Sequence, residues 1–187
     1  MVRNAPQTLP NTILVAYASR GGSTAGVAEA IGATLAASGL EVEVRPMHAV
    51  DDLAPYRAVV AGSAVQRERW LPEALRFMRR HQTELRQKPF AAFQVCMALA
   101  TENARRRERA RQTAAGWLQP VRDLVSPVSE GLFAGVLDVS KIPQRSFRLA
   151  FRLSIALGFW AEGDYRDWEA IRRWANGLPV MFGWRGR

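Results

Sequence analysis

Short apolar runs alternate along this chain with segments whose apolar residues recur every three or four positions. Runs rich in β-branched residues are typical of buried strands, whereas a spacing of three or four places apolar side chains on one face of a helix. The runs predict strands at 12–18, 40–45, 57–63, 90–97 and 128–139. The segments with helical spacing lie between these runs, and they predict helices at 25–39, 70–86 and 103–118. The alternation predicts an α/β fold, a doubly wound five-stranded parallel sheet with helices on both faces.

The last third of the chain adds to this minimal fold. Residues 143–160 predict a basic amphipathic helix. Three arginines share one of its faces, Arg145, Arg148 and Arg152, and apolar residues lie elsewhere on it, namely Phe147, Ala150, Phe151 and Ile155. Whether this segment packs on the sheet or on a membrane is left open by the pattern.

A closing helix is predicted at 164–177, because Asp164 suits the N-cap and Gly177 suits the end of a helix. The chain has 187 residues, of which 48% are hydrophobic, which is enough for one core. We therefore expect a single domain at 12–187, preceded by a flexible extension at 1–11.

Charge and cysteine content narrow the classes of function. A lone cysteine, Cys96, excludes an intramolecular disulfide, and His48 and His81 lack metal-ligand spacing. These features favour a cytoplasmic protein without a metal site. The net charge of +9 suits an anionic partner, which could be an acidic substrate, nucleic acid or the inner face of an anionic membrane. Nucleic acid is the least favoured, because no recognised binding motif is present.

The segment from Ser19 to Thr24 has the composition of a phosphate-binding loop. Its residues are Ser19, Arg20, Gly21, Gly22, Ser23 and Thr24, and it lies between a predicted buried strand and a predicted helix. Backbone N–H groups at a helix start can surround a phosphate, glycine lets the backbone approach, and hydroxyls add donors. The loop lacks the lysine of nucleoside-triphosphate loops and the glycine spacing of dinucleotide loops. On the loop alone, an ordinary Gly-Ser turn is an equal alternative.

The wider sequence resembles the flavodoxin family. Residues 13–35, ILVAYASRGGSTAGVAEAIGATL, are similar to its signature, a hydroxyl-rich loop that binds the FMN phosphate. Ser19, Gly22 and Thr24 match the pattern, and Gly21 replaces a usual threonine. The resemblance implies a flavodoxin-like fold with FMN as cofactor. It also implies that the exits of the third and fourth strands flank the flavin ring, through Ser63, Ala64, Val65, Gln66, Arg67, Cys96, Met97 and Ala98.

Within this family the chain looks like the group that contains the bacterial quinone-dependent protoporphyrinogen oxidase. The resemblance rests on the Ser-Arg pair of the loop, on VVAGSAVQRERWLPEALRFM, on FAAFQVCMAL, and on the tail from GLFAGVLDVSKIP to DYRDWEAIRRWA. It implies an FMN-dependent oxidoreductase that passes electrons from a protoporphyrinogen-like substrate to a quinone or similar acceptor. The alternative is a flavodoxin-type carrier that serves a redox partner protein and has no substrate of its own.

Several conspicuous residues have simpler explanations. Cys96 on an apolar strand is typical of a packed thiol, and His48 and His81 are typical of surface or capping positions. Trp70 could stack near the flavin or pack in the core. The arginine-rich stretch at 105–111 is typical of a solvated helix face.

Overall fold

A computed structural model describes residues 11–101, 103–141, 148–149, 153, 155, 157 and 161–184. Its strands and helices are β1 (Thr12–Ala18), α1 (Ser23–Ala37), β2 (Glu41–Pro46), β3 (Tyr56–Gln66), β4 (Arg69–Trp70), α2 (Pro72–Arg80), α3 (Gln82–Leu85), β5 (Phe90–Cys96), α4 (Ala104–Gly116), α5 (Gln119–Arg122), β6 (Ser129–Ala134), β7 (Val136–Leu137), β8 (Gly163–Asp164) and α6 (Trp168–Met181). Short 3-10 turns follow β2 and β5.

The central sheet has five parallel strands in the order β2-β1-β3-β5-β6, and β4 pairs antiparallel with β3. Helices α1 and α6 pack on one face of the sheet, whereas α2, α3 and α5 contribute to the core on the other. Strand β5 is buried along its whole length, as expected for a parallel strand covered on both sides. The predicted doubly wound α/β fold is confirmed.

Close contact between α1 and the sheet depends on small residues. Val27, Ile31 and Leu35 of α1 are buried at helical spacing. Gly32 lies against Val44, and a Cβ at position 32 would overlap the valine side chain. Gly62 of β3 pairs with Phe93 of β5, whose ring occupies the space that a Cβ at position 62 would need. Neither position therefore has room for a larger side chain.

Two strand predictions need correction. The third strand continues past Ser63 to Gln66, because a two-residue turn folds the chain back and β4 pairs with its end. The fifth strand ends at Ala134 rather than at residue 139. Beyond Gly135 the chain forms β7, which pairs antiparallel with β8 in a separate ladder.

The helix predicted at 70–86 is also divided. Trp70 lies in β4, α2 begins at Pro72, and the helix is interrupted at His81 before α3. His81 is at a helix end, as expected, but it is buried rather than on the surface. Its Nδ1 lies 3.1 Å from Glu84 Oε2. The basic residues of α4 are exposed, which confirms the expectation of a solvated face.

The closing helix lies later in the chain than predicted. Asp167, not Asp164, is its N-cap and accepts a hydrogen bond from Ala170 N at 2.9 Å. Asp164 instead pairs with Arg166, whose guanidinium holds the pKa of this carboxyl below its usual value. Gly177 lies inside the helix, which ends at Met181.

The basic amphipathic helix predicted at 143–160 is described in part. Residues 148, 149, 153 and 155 are helical and 157 is in a turn. The rest of this segment, including Arg145, Arg152, Phe147, Ala150 and Phe151, lies outside the described residues, as do residues 1–10 of the predicted extension at 1–11. Among the helices that the structure describes, none is both long and apolar enough to cross a bilayer.

Candidate functional site

The loop between β1 and α1 has the geometry of a helix start whose N–H groups are left available. Gly22 adopts φ +85°, a left-handed conformation that glycine tolerates, and its N–H donates to Ser19 Oγ at 3.1 Å. In this part of the described chain, no side chain caps α1. The first N–H groups of the helix and its positive dipole end therefore face the loop.

Thr24 supplies a buried hydroxyl at the same place. Its side chain is fully buried, and its Oγ1 has no hydrogen-bond partner among the described residues. Such a buried polar atom costs free energy until something bonds to it. A Cβ at Gly21 or Gly22 would meet no atom within 4 Å, so the backbone here borders open space. An orphaned hydroxyl, available N–H groups and room above the glycines together fit a phosphate group.

The charges around the loop suit the same ligand. No acidic residue occurs between Ser19 and Ala28, and Arg20 is exposed at the tip of the loop. A dianionic phosphate would therefore meet dipoles and a cation rather than a carboxylate within the loop.

The ends of four neighbouring strands lie at this edge of the sheet, and two of them carry the other predicted residues. Ala18 pairs with Ser63, Ala64 pairs with Val95, and Cys96 pairs with Ala134. Because these strands are parallel, the chain leaves each of them on the same side. The loop at 19–24, the end of β3 and the turn after β5 thus form one edge, where ligands of open α/β sheets bind.

At the end of β3 the structure places Ser63, Ala64, Val65 and Gln66 inside the strand rather than in a loop. The hydroxyl of Ser63 is used within the protein, since it accepts from Leu71 N at 3.0 Å and donates to Ala64 O at 2.8 Å. Its side chain therefore has a structural role. Ala64 and Val65 are half-buried, and Gln66 is exposed at the turn.

Arg67 and Glu68 form the turn between β3 and β4. Their φ angles are +51° and +63°. Two successive left-handed residues are what a two-residue hairpin turn requires, although Asn-Gly is the usual solution. The turn projects from the edge of the sheet and exposes both side chains.

The end of β5 contributes Cys96, Met97 and Ala98. Cys96 is buried, and burial raises the pKa of its thiol to about 11, as expected for a packed cysteine. Met97 and Ala98 begin the 3-10 turn that follows and are half-buried. Contact of these three residues with a cofactor stays a prediction.

Trp70 packs in the core rather than stacking at the site. It is buried, and its Nε1 donates to Gln94 Oε1 at 3.2 Å. Gln94 is also buried, and its Nε2 donates to Ala114 O at 2.6 Å. This pair ties the β3–β4 hairpin and α4 to β5, and so fixes the elements on either side of the turn that follows β5.

The sequence alone did not predict that the chain after β6 lies beside the loop at 19–24 and the turn after β5. A Cβ at Gly135 would lie 3.4 Å from Ser23 Oγ and 3.7 Å from Met97 Sδ, so this glycine lies beside both the loop and the β5 turn. Its carbonyl accepts from Tyr165 N at 3.1 Å, which brings the segment before α6 alongside. A glycine interrupting an apolar strand run was the available signal.

A small cavity opens on the other side of the loop, toward β2. Its volume is about 190 Å³, and its lining includes Ser19, His48 and Glu73. Ligand pockets usually measure about 300–1,000 Å³, so this cavity is too small to enclose a flavin ring.

The family model of the flavodoxin domain matches residues 14–166, which include the loop and every strand end described above. This chain belongs to the flavodoxin-domain family. A search of the curated proteins found no match to this chain.

Solved structures agree with the family assignment at the level of the fold. Flavodoxin 2 of Bacillus cereus, in its oxidised form, has a TM-score of 0.55 and 23% identity, over 91% of this chain and 99% of that one. A mutant of the Fusobacterium nucleatum flavodoxin, bound to flavin mononucleotide, has a TM-score of 0.53 and 11% identity, over 91% and 96%. The two-electron reduced flavodoxin of Megasphaera elsdenii has a TM-score of 0.50 and 18% identity, over 64% and 84%.

Proposed function

We propose that this chain binds FMN at the loop from Ser19 to Thr24, which we call the edge loop. Through the bound FMN, the chain would pass electrons from an organic substrate of the protoporphyrinogen type to a quinone or similar acceptor. The observation that carries the FMN proposal is the orphaned, buried hydroxyl of Thr24 below a glycine loop that borders open space. Membership of the flavodoxin-domain family supports it.

Each part of the loop has a role in holding the phosphate. The Thr24 hydroxyl and the first N–H groups of α1 would donate hydrogen bonds, and Arg20 would balance charge. Ser19 keeps Gly22 in its left-handed turn through the 3.1 Å hydrogen bond. When bound, FMN would supply the redox chemistry. The turn at Arg67 and Glu68 and the turn after Cys96 would flank its ring.

The substrate proposal rests on the surroundings of the edge. Neither 63–69 nor 97–101 contains an aromatic residue, and Trp70 is occupied in the core. One flavin face would therefore remain open to a bulky planar molecule. Arg20, Arg67 and Arg69 are exposed along the edge, and they suit a substrate with acidic groups. In one cycle the substrate would lose a pair of electrons and their protons, and the quinone would gain them to become a quinol.

Flavin titration followed by fluorescence quenching tests the cofactor. Gly22→Leu should weaken FMN binding at least about tenfold, because the side chain would fill the space above the loop and strain its backbone. Gly39→Leu is the matched control: Gly39 also has a positive φ, +80°, and open space, but it lies at the other end of α1. Equal affinities for the two variants would contradict the proposed site.

Anaerobic turnover tests the substrate. The FMN-loaded protein is mixed with protoporphyrinogen and a soluble quinone, and product fluorescence is followed. We expect oxidation that requires both FMN and quinone. If FMN binds but the substrate is not oxidised, the oxidoreductase proposal is wrong and the chain is an electron carrier.

A further inference from the structure

Three leucines form an exposed apolar stripe, which we call the leucine face: Leu149, Leu153 and Leu157. Their exposed fractions are 62%, 57% and 71%. A spacing of four residues places them on one side of a helix, and Leu157 N donates to Leu153 O at 3.0 Å, as a helix requires. Single exposed leucines are common on protein surfaces, but three in line mark a contact surface.

The leucines of the sheet and its packed helices behave differently. Leu14, Leu35 and Leu178 are fully buried, as are other members of the core clusters. The core is therefore filled without the leucine face. The stripe is a feature of the added segment between β7 and β8, outside the strands and helices that form the sheet core.

The charged residues within the segment that carries the leucine face are all basic. From Lys141 to Ala161 the sequence contains Lys141, Arg145, Arg148 and Arg152 and no acidic residue. The chain as a whole carries a net charge of +9. A helix with leucines on one side and only basic charges along its sequence has the composition of helices that lie in the interface of a bilayer.

We propose that the leucine face docks on a bilayer that contains anionic lipids, with the leucines at the boundary of headgroups and acyl chains. Anionic headgroups would attract the basic segment, and burial of the leucines would hold it there. A second copy of this chain is the less suitable occupant, because pairing two leucine faces would bring two basic segments together. The proposal is independent of whether the edge loop binds FMN.

Vesicle sedimentation of the full chain tests the proposal. The probes are vesicles of phosphatidylglycerol with phosphatidylcholine, and vesicles of phosphatidylcholine alone. We expect the protein to sediment with the anionic vesicles at low salt, to be released by high salt, and to ignore the neutral vesicles. A protein that stays in the supernatant with anionic vesicles at low salt overturns the proposal.

Two sets of variants locate the contact. Replacing all three leucines with serine should lower the partition onto anionic vesicles at least about tenfold, since the apolar contribution is lost while the charge is kept. Serine replacement of Val180 and Met181 is the matched control, because these residues are 73% and 57% exposed on α6. Binding of the triple variant at the level of the control overturns the proposal.

Two further measurements keep the result decisive. Leu157→Asp changes only the most exposed leucine, so it should fold even if the triple variant does not, and it should also weaken binding. Sedimentation velocity without lipid tests the second copy as occupant. A dimeric wild type that becomes monomeric in Leu157→Asp would show that the leucine face is a self-association surface, and the membrane proposal would be wrong.

Discussion

Replacing Thr24 with valine should stabilise the protein without FMN and weaken its binding of FMN. Valine has the shape of threonine without the hydroxyl, and the side chain is fully buried with no partner for Oγ1 among the described residues. An unsatisfied buried hydroxyl costs about 1–3 kcal/mol. Taking the lower end, the variant should gain about 1 kcal/mol of unfolding free energy, or roughly 2–4 °C in Tm for a chain of this size.

The same substitution should have the opposite effect on the complex. A hydrogen bond to a charged group contributes about 1.5–3 kcal/mol, so its loss should raise the Kd for FMN by about 10- to 100-fold. Thermal unfolding without flavin gives the first quantity, and fluorescence titration gives the second. Stability gained at the expense of function is the expected pattern for a binding residue.

Thr34→Val is the matched control for this experiment. Thr34 lies in the same helix, but its Oγ1 already donates to Ala30 O at 2.7 Å. The control should leave FMN affinity unchanged and should not raise the Tm. If Thr24→Val lowers the Tm of the flavin-free protein, or leaves FMN affinity unchanged, the role assigned to this hydroxyl is wrong.

Three other outcomes follow from the packing. Gly62→Ala should lower the free energy of unfolding in urea by about 1–3 kcal/mol, because its Cβ would overlap Phe93. Adding Phe93→Leu to the same chain should recover part of that loss. Gly177→Ala should stabilise the protein by about 1 kcal/mol, because the residue is helical and a Cβ there meets nothing within 4 Å. An unchanged denaturation midpoint would contradict this expectation. Cys96 has a pKa raised to about 11 by burial, so at pH 8 its thiol should react with iodoacetamide only after unfolding.

The order and type of the main elements could be predicted because their signals are local. Strand β5 is an apolar run, interrupted only by Gln94, between Pro89 and a turn, and its burial on both faces follows from that pattern. Residues Val27, Ile31 and Leu35 mark the buried side of α1 in the same way. Neither prediction required knowledge of what the element packs against.

The errors came from tertiary pairing. The extension of β3 depends on a turn whose residues, Arg67 and Glu68, carry none of the usual glycine or asparagine signal. Asp164 is predicted to cap the closing helix, but it lies in β8 and pairs with Val136 of β7, so the helix begins later and Asp167 is its N-cap. Such partners cannot be identified from propensity alone.

The candidate site could likewise be predicted only in part. The loop from Ser19 to Thr24 could be predicted from its composition and its place between a strand and a helix. The orphaned hydroxyl of Thr24 and the approach of Gly135 to Ser23 could not, because both depend on residues far apart in sequence.

Comparison of FMN with riboflavin tests the central claim most directly, because the two flavins differ only in the phosphate. Titration of the wild-type protein with each, under the same conditions, gives the ratio of their dissociation constants. Several charge-assisted hydrogen bonds at the loop predict that FMN binds at least about 100-fold more tightly than riboflavin. Equal affinities would show that the loop from Ser19 to Thr24 does not bind a phosphate, and the role proposed for this loop would be wrong.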